Sequence, residues 1–169
     1  IVFFFISFVP KVLPNLKIEI ESILSSLGME NASFVFNLSK SSKYNKFGID
    51  VIDVLFSANK GIYFAPLFKV VSGGELSRVA LAMKYVSSTF NNISTIIFDE
   101  IDSGISGKVA SEVCSLLKEI SSSSQVINIT HLPQVAAIAK HHIYVNKSEI
   151  AGVMETSINY LSREDRIQV

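Results

Sequence analysis

Thr95-Ile96-Ile97-Phe98-Asp99-Glu100 is the stretch from which the fold is read. Four β-branched or aromatic residues in a row suit a strand buried on both faces of a parallel sheet, and the run ends on two carboxylates. Gln125-Val126-Ile127-Asn128-Ile129 has the same character. Between the two, residues 109–120 have helical periodicity and residues 121–124 are a serine loop. Residues 133–139 read as a short helix opened by Pro133, and residues 142–145 as a third strand. Strand, helix, strand, helix, strand is the α/β rhythm of an open parallel sheet flanked by helices.

Upstream, residues 76–90 form a helix with Leu76, Val79, Ala80, Met83 and Val86 on one stripe. Residues 32–38 and 49–58 alternate and read as additional N-terminal strands, separated by a polar loop at 39–46. Residues 16–27 carry apolar positions at helical spacing that stop at Gly28. Downstream, residues 153–161 read as a further strand, and Arg163-Glu164-Asp165-Arg166 as the start of a helix.

The chain has 169 residues, about half of them apolar, with 15 Lys plus Arg balanced by 15 Asp plus Glu. That is enough for one packed domain, and the zero formal charge removes any simple electrostatic argument for nucleic acid. Lys40, Lys43 and Lys46 are by default a solvated loop. The single Cys114 excludes an internal disulfide and a cysteine-based zinc site; a small apolar residue on a helix face accounts for it. Residues 1–9 are apolar except for Ser7 and hold four phenylalanines. This run is too short to span a bilayer, and no basic segment precedes it as in a signal peptide. Pro10 and Pro14 are expected to interrupt the segment after it. Residues 1–15 are therefore set apart, as sequence that need not be native, from a lobe over residues 16–169, and the whole is read as a piece of something larger.

Three stretches carry chemistry. Asp99 and Glu100 lie at the carboxyl end of a strand, where α/β sheets hold ligands. On alternation they point in opposite directions and could serve different tasks, one for Mg²⁺ and one for an attacking water. Acids at strand ends also occur as plain solvated residues, and this strand alone leaves both readings open. Ser72-Gly73-Gly74-Glu75 opens a helix, where backbone N–H groups and the dipole favour an anion. A capping box of Ser72 and Glu75 explains those two residues without a ligand, but not the two glycines. His131 comes after the second buried strand; it is either a satisfied loop residue or a group that reaches phosphate or water.

In this order the motifs resemble the head of ABC-type ATPases. Residues 72–78 stand at the signature motif and residues 95–100 at Walker B. Asp102-Ser103-Gly104-Ile105-Ser106 stands at the D-loop, and His131 at the switch histidine. The wording of Ser72-Gly73-Gly74-Glu75-Leu76-Ser77-Arg78, of Phe98-Asp99-Glu100-Ile101-Asp102-Ser103-Gly104-Ile105-Ser106-Gly107 and of Ile129-Thr130-His131-Leu132-Pro133-Gln134-Val135-Ala136 is similar to the RecN family of bacterial DNA repair proteins, from about residue 13 onward.

The resemblance implies the C-terminal lobe of an SMC-like, P-loop ATPase head that uses ATP and Mg²⁺ in recombinational repair of DNA double-strand breaks. It implies Asp99 for the metal, Glu100 as catalytic base and His131 as sensor of the γ-phosphate. It places Ser72, Gly73, Gly74 and Glu75 on the ATP of a partner head, and Asp102 on the contact between two heads sandwiching ATP. It also implies DNA as a partner of the complete protein, no membrane, and a bacterial cytoplasm with the nucleoid. No G-x-x-x-x-G-K-[ST] occurs in the sequence; Gly107-Lys108 comes nearest, but Val109 is the next residue and Asp102 stands where the first glycine belongs. The Walker A lobe is then a missing partner, and the chain alone is expected to be inactive. Alternatives are the head of another coiled-coil chromosome-maintenance ATPase, a transporter subunit, and a truncated or non-catalytic interaction domain.

Overall fold

The computed structural model describes residues 2–46, 48–70, 72–91, 93–102, 104–105, 107–150 and 152–167. The readings made at Ile1, Val71, Ser103 and Ser106 lie outside the described residues, as do those on the side chains of residues 2–9.

The first element, α1, spans Val2–Ser26 with Pro10 and Pro14 inside it. The prolines thus do not interrupt the helix, and it runs across the junction at residues 15 and 16. Each removes one N–H and crowds a carbonyl one turn back. Being four residues apart, they place both faults on the same exposed side, beside a concavity of about 400 Å³ between α1 and the strand at residues 34–38. The helix ends as its sequence indicates: Met29 N–H donates to Leu24 O, and Gly28 N–H to Ser25 O, with Gly28 at φ +79°. This is the Schellman arrangement, and Leu24 and Met29 are buried together in the core beside it.

Strand β1 (Ser33–Asn45) pairs antiparallel with β2 (Gly48–Ser57), and a two-residue β3 (Ala65–Pro66) adds to β2. The stretch 39–46, expected as a loop, is therefore mostly strand up to Asn45. Ser39, Lys40 and Asn45 pair with Val51, Asp50 and Gly48 of β2, with a shift of register between Lys40 and Asn45, so a polar composition leaves an exposed, irregular hairpin end. Phe34 and Phe56 are register partners with ring centroids 4.9 Å apart. Glu21 of α1 fastens the start of β1, accepting from Phe34 N–H and Ser33 Oγ–H at 2.7 Å each.

After the short α2 (Leu67–Val70), α3 covers Gly73–Phe90. Its buried residues are Val79, Leu81, Ala82 and Val86, whereas Leu76, Ala80 and Met83 of the expected stripe are exposed. The reason is that α3 stands between two cores. Val79, Ala82 and Val86 meet Ile20, Leu24, Phe34 and Phe56, while Leu81 meets Leu27, Ile96, Phe98 and Val113. A helix walled on two sides buries a wide arc, and a single-stripe reading picks the wrong edge of it.

Strand β4 (Thr95–Asp99) and β5 (Gln125–Ile129) pair in parallel, joined by α4 (Gly107–Ile120). Their sheet is covered on one face, not two: Ile96 and Phe98 are buried, but Ile97, Ile127 and Ile129 are 65%, 44% and 52% exposed. Helix α5 (Pro133–Ala137) has Pro at its start. The third strand of the rhythm, β6 (Ile143–Ile150), does not extend the parallel sheet; it forms an antiparallel hairpin with β7 (Val153–Tyr160), which satisfies its backbone locally. Residues 163–166 form a 3₁₀ turn, Asp165–Ile167, rather than an α-helix. Ser162 caps it, and the Arg166 guanidinium donates to Ala139 O and Lys140 O at 2.9 Å each.

Gly28→Ala tests the first turn. A Cβ there would lie 3.1 Å from Val109 Cγ2 at a left-handed φ. The expected loss is about 1–2 kcal/mol for the backbone conformation, with further strain from the contact, read as a lower urea midpoint at unchanged slope.

Candidate active site

The parallel pairing puts Asp99 opposite Ile129. The residues that leave the two strands, Glu100 with Asp102 and Thr130 with His131, therefore emerge at the same end of the sheet. Asp99, Glu100 and His131 are exposed there. Glu100 is not part of the strand. It takes φ +49°, the left-handed region, with its N–H donating to Ile129 O at 3.0 Å. The alternation argument for the two acids thus stops at Asp99, and a turn rather than a pleat separates the carboxylates.

The turn carries the next two residues inward. Ile101 is buried among Phe98, Val113 and Val135, and Asp102 is completely buried. Asp102 Oδ2 accepts from the Thr130 hydroxyl, whose oxygen accepts from Leu132 N–H at 3.0 Å. Oδ1 of Asp102 has no partner among the described residues. The Asp102 carboxylate is thus turned toward the core of this chain and held by Thr130. Burial first, and then the Asp102 charge, push the Cys114 thiol up from its ordinary value. Cys114 Sγ–H donates to Gln134 O, as befits a small half-buried helix residue.

Ser72 and Glu75 form the capping box at the start of α3: Glu75 N–H donates to Ser72 Oγ at 3.4 Å, and Ser72 N–H to Glu75 Oε2 at 2.8 Å. Both hydrogen bonds stay within this helix start and do not reach the carboxylate corner. Gly73 is different. Its φ is not left-handed, and a Cβ built on it meets nothing within 4 Å among the described residues. Arg78, at the end of the same motif, is half-buried with Nε lacking a partner among the described residues.

The motif reading left Thr130 without a role, although a hydroxyl at the end of an apolar strand was a signal. The buried Asn128 amide on β5, with neither polar atom partnered among the described residues, had none that periodicity could reveal.

Comparison with known proteins gives the corner its context. No family model matches the chain. It is 38% identical over 149 residues to DNA repair protein RecN of Halalkalibacterium halodurans, covering 86% of the chain and 26% of that relative. With RecN of Bacillus subtilis the identity is 45% over 120 residues, 71% of the chain and 21% of the relative. This chain is a RecN-like segment. It spans about a quarter of the length of the curated RecN proteins that it matches.

Solved structures agree on the fold. The RecN-like segment is 25% identical to the Smc head domain with a coiled coil and joint from Pyrococcus yayanosii, at TM-score 0.66 over 94% of the segment and 29% of that chain. A chain described under ATP-driven dimerization and DNA stimulated activation of SMC ATPases matches at 25% identity and TM-score 0.58, over 94% of the segment and 90% of that chain. The architecture is thus that of part of an SMC-type ATPase head.

Replacing the cap separates its structural part from any other. Ser72→Ala is expected to cost about 1 kcal/mol in urea unfolding, and Ser72→Asp, which keeps an acceptor at the N-cap, to cost less than half of that.

Proposed function

We propose that this chain is the C-terminal lobe of an ATP-hydrolysing head, over residues 16–169 with residues 1–15 leading into it, and that the complete protein acts on DNA in RecN-type recombinational repair of double-strand breaks. The observation that carries the reading is the common exit of Asp99, Glu100 and His131 from two parallel strands in register. This is the end at which α/β sheets hold nucleotides.

In this reading Glu100 is the base that orients and deprotonates the attacking water, and His131 contacts the γ-phosphate. Asp99 is a ligand of Mg²⁺, which when bound neutralises charge on the phosphates. Among the described residues no three His, Cys, Asp or Glu side chains gather as a metal cage. Mg²⁺ takes one or two carboxylates and completes its shell with waters and phosphate oxygens. The bare Ile97, Ile127 and Ile129 face supports a second layer from the rest of the protein, where the phosphate-binding loop missing from this sequence would also lie.

Ser72, Gly73, Gly74 and Glu75 would serve the nucleotide of a second head, so that ATP holds two heads together. The open space at Gly73 among the described residues supports this, because a glycine at a helix start lets an outside anion approach the backbone N–H groups closely. Asp102, which the resemblance puts at the contact between heads, is held in this chain by Thr130. Among the described residues no helix is long and apolar enough to cross a membrane. A second reading, the head of another coiled-coil chromosome-maintenance ATPase, has the Smc head similarity in its favour.

In the complete protein, Glu100→Gln is expected to lower ATP turnover by about 10²-fold or more while ATP-dependent head dimers persist in light scattering. Turnover at the normal rate would remove Glu100 from the role of base. The 169-residue chain by itself is expected neither to bind ATP tightly by calorimetry nor to release phosphate; sustained turnover by the pure chain would overturn the divided site.

A further inference from the structure

Two links join the ends of β4 and β5, one the last rung of the parallel ladder and the other between side chains. Glu100 N–H donates to Ile129 O, and the Thr130 hydroxyl donates to Asp102 Oδ2. The oxygen of Thr130 also accepts from Leu132 N–H, so the residues on both sides of His131 are tied to one hydroxyl. Together these bonds brace two short backbone segments, 100–102 and 129–132, against each other.

Two features of the brace are costly for a piece of core. Asp102 is a fully buried carboxylate whose Oδ1 lacks a partner among the described residues. A buried acid satisfied on one oxygen is worse for stability than an apolar side chain of similar volume. Glu100 holds a left-handed φ that a non-glycine residue adopts only when its surroundings impose it. Both costs fall on the residues that flank the exposed Glu100 and His131 side chains.

We propose that Asp102 and Thr130 are a pair of positioning residues: their buried hydrogen bond fixes the Glu100 turn relative to the His131 loop, so that base and imidazole keep one mutual geometry. This rests on the ATPase reading of the site. It gives Asp102 a task inside one head. Misplacing a reacting group by about 1 Å costs about 10²-fold in rate. Loss of the pair therefore acts on the chemical step rather than on nucleotide capture.

The test uses the complete protein, with steady-state ATP hydrolysis over a range of ATP concentrations and thermal melting of each variant. Thr130→Val keeps the side-chain volume and removes the hydroxyl; it is expected to lower kcat by at least about 10-fold with KM within about 2-fold of wild type. Thr130→Ser, which restores the hydroxyl, is expected to bring kcat back to within about 3-fold. Asp102→Ala combined with Thr130→Val is expected to be no slower than the slower single variant, since either change breaks the same bond. Should Asp102→Ala fail to fold, the Thr130→Val and Thr130→Ser pair decides by itself.

The proposal is overturned if Thr130→Val keeps kcat within about 2-fold. It is also overturned if kcat falls only together with a matching rise in KM and loss of melting temperature, or if serine fails to rescue. A wild-type complete protein that does not hydrolyse ATP overturns the ATPase reading and this proposal with it. Hydrolysis by wild type with an unchanged Thr130→Val overturns the proposal alone.

Discussion

The parallel ladder between β4 and β5, from Thr95 opposite Gln125 to Asp99 opposite Ile129, is the constraint on which the site depends. Evenly spaced parallel hydrogen bonds fix both strands to end at one level, so the residues that leave them meet at one edge. The same register presses Ile96 and Phe98 into the core with Val113, Leu117 and Ile120 of α4. Side chains alternate with period two, so a slip of one residue would exchange this buried pair for Ile97 and its neighbours and carry the carboxylates away from Thr130 and His131. Burial of one face thereby specifies the geometry of the edge.

Helix α3 transmits this order to the rest of the chain. Its Val79, Ala82 and Val86 side belongs to the core formed by α1 and the β1–β2 hairpin, and Leu81 belongs to the core under β4. Leu27, the last residue before the turn at Gly28, also enters the second core. The hairpin unit and the strand pair thus share a wall, and Ser72-Gly73-Gly74-Glu75 is anchored by that wall although its capping hydrogen bonds do not reach the carboxylates.

Much of this was legible in residue order. The strands at 95–99, 125–129 and 153–160, the helices at 73–90 and 107–120, and the stop at Gly28 are the consequence of periodicity, β-branching and end signals. Readings failed where a partner elsewhere in the chain overrode a local preference. Pro10 and Pro14 sit within α1, beside a concavity shared with Phe34, Phe36 and Leu38 of β1. The polar 39–45 stretch extends β1 because β2 pairs with it at Ser39, Lys40 and Asn45. Leu76, Ala80 and Met83 are exposed because α3 is packed on two sides.

The same division holds at the site. Residue order by itself determined that two carboxylates and a histidine come after apolar strands, that Ser72 and Glu75 cap a helix, and that no phosphate-binding loop is present, since these are matters of type and spacing. Only the tertiary structure decided that Glu100 leaves the strand in a left-handed turn, that Asp102 points inward to Thr130, and that the sheet is covered on one face. Each of these is fixed by contacts between segments far apart in sequence. Local pattern contains no term for them, because the partner that stabilises the conformation is named by the fold and not by the neighbouring residues.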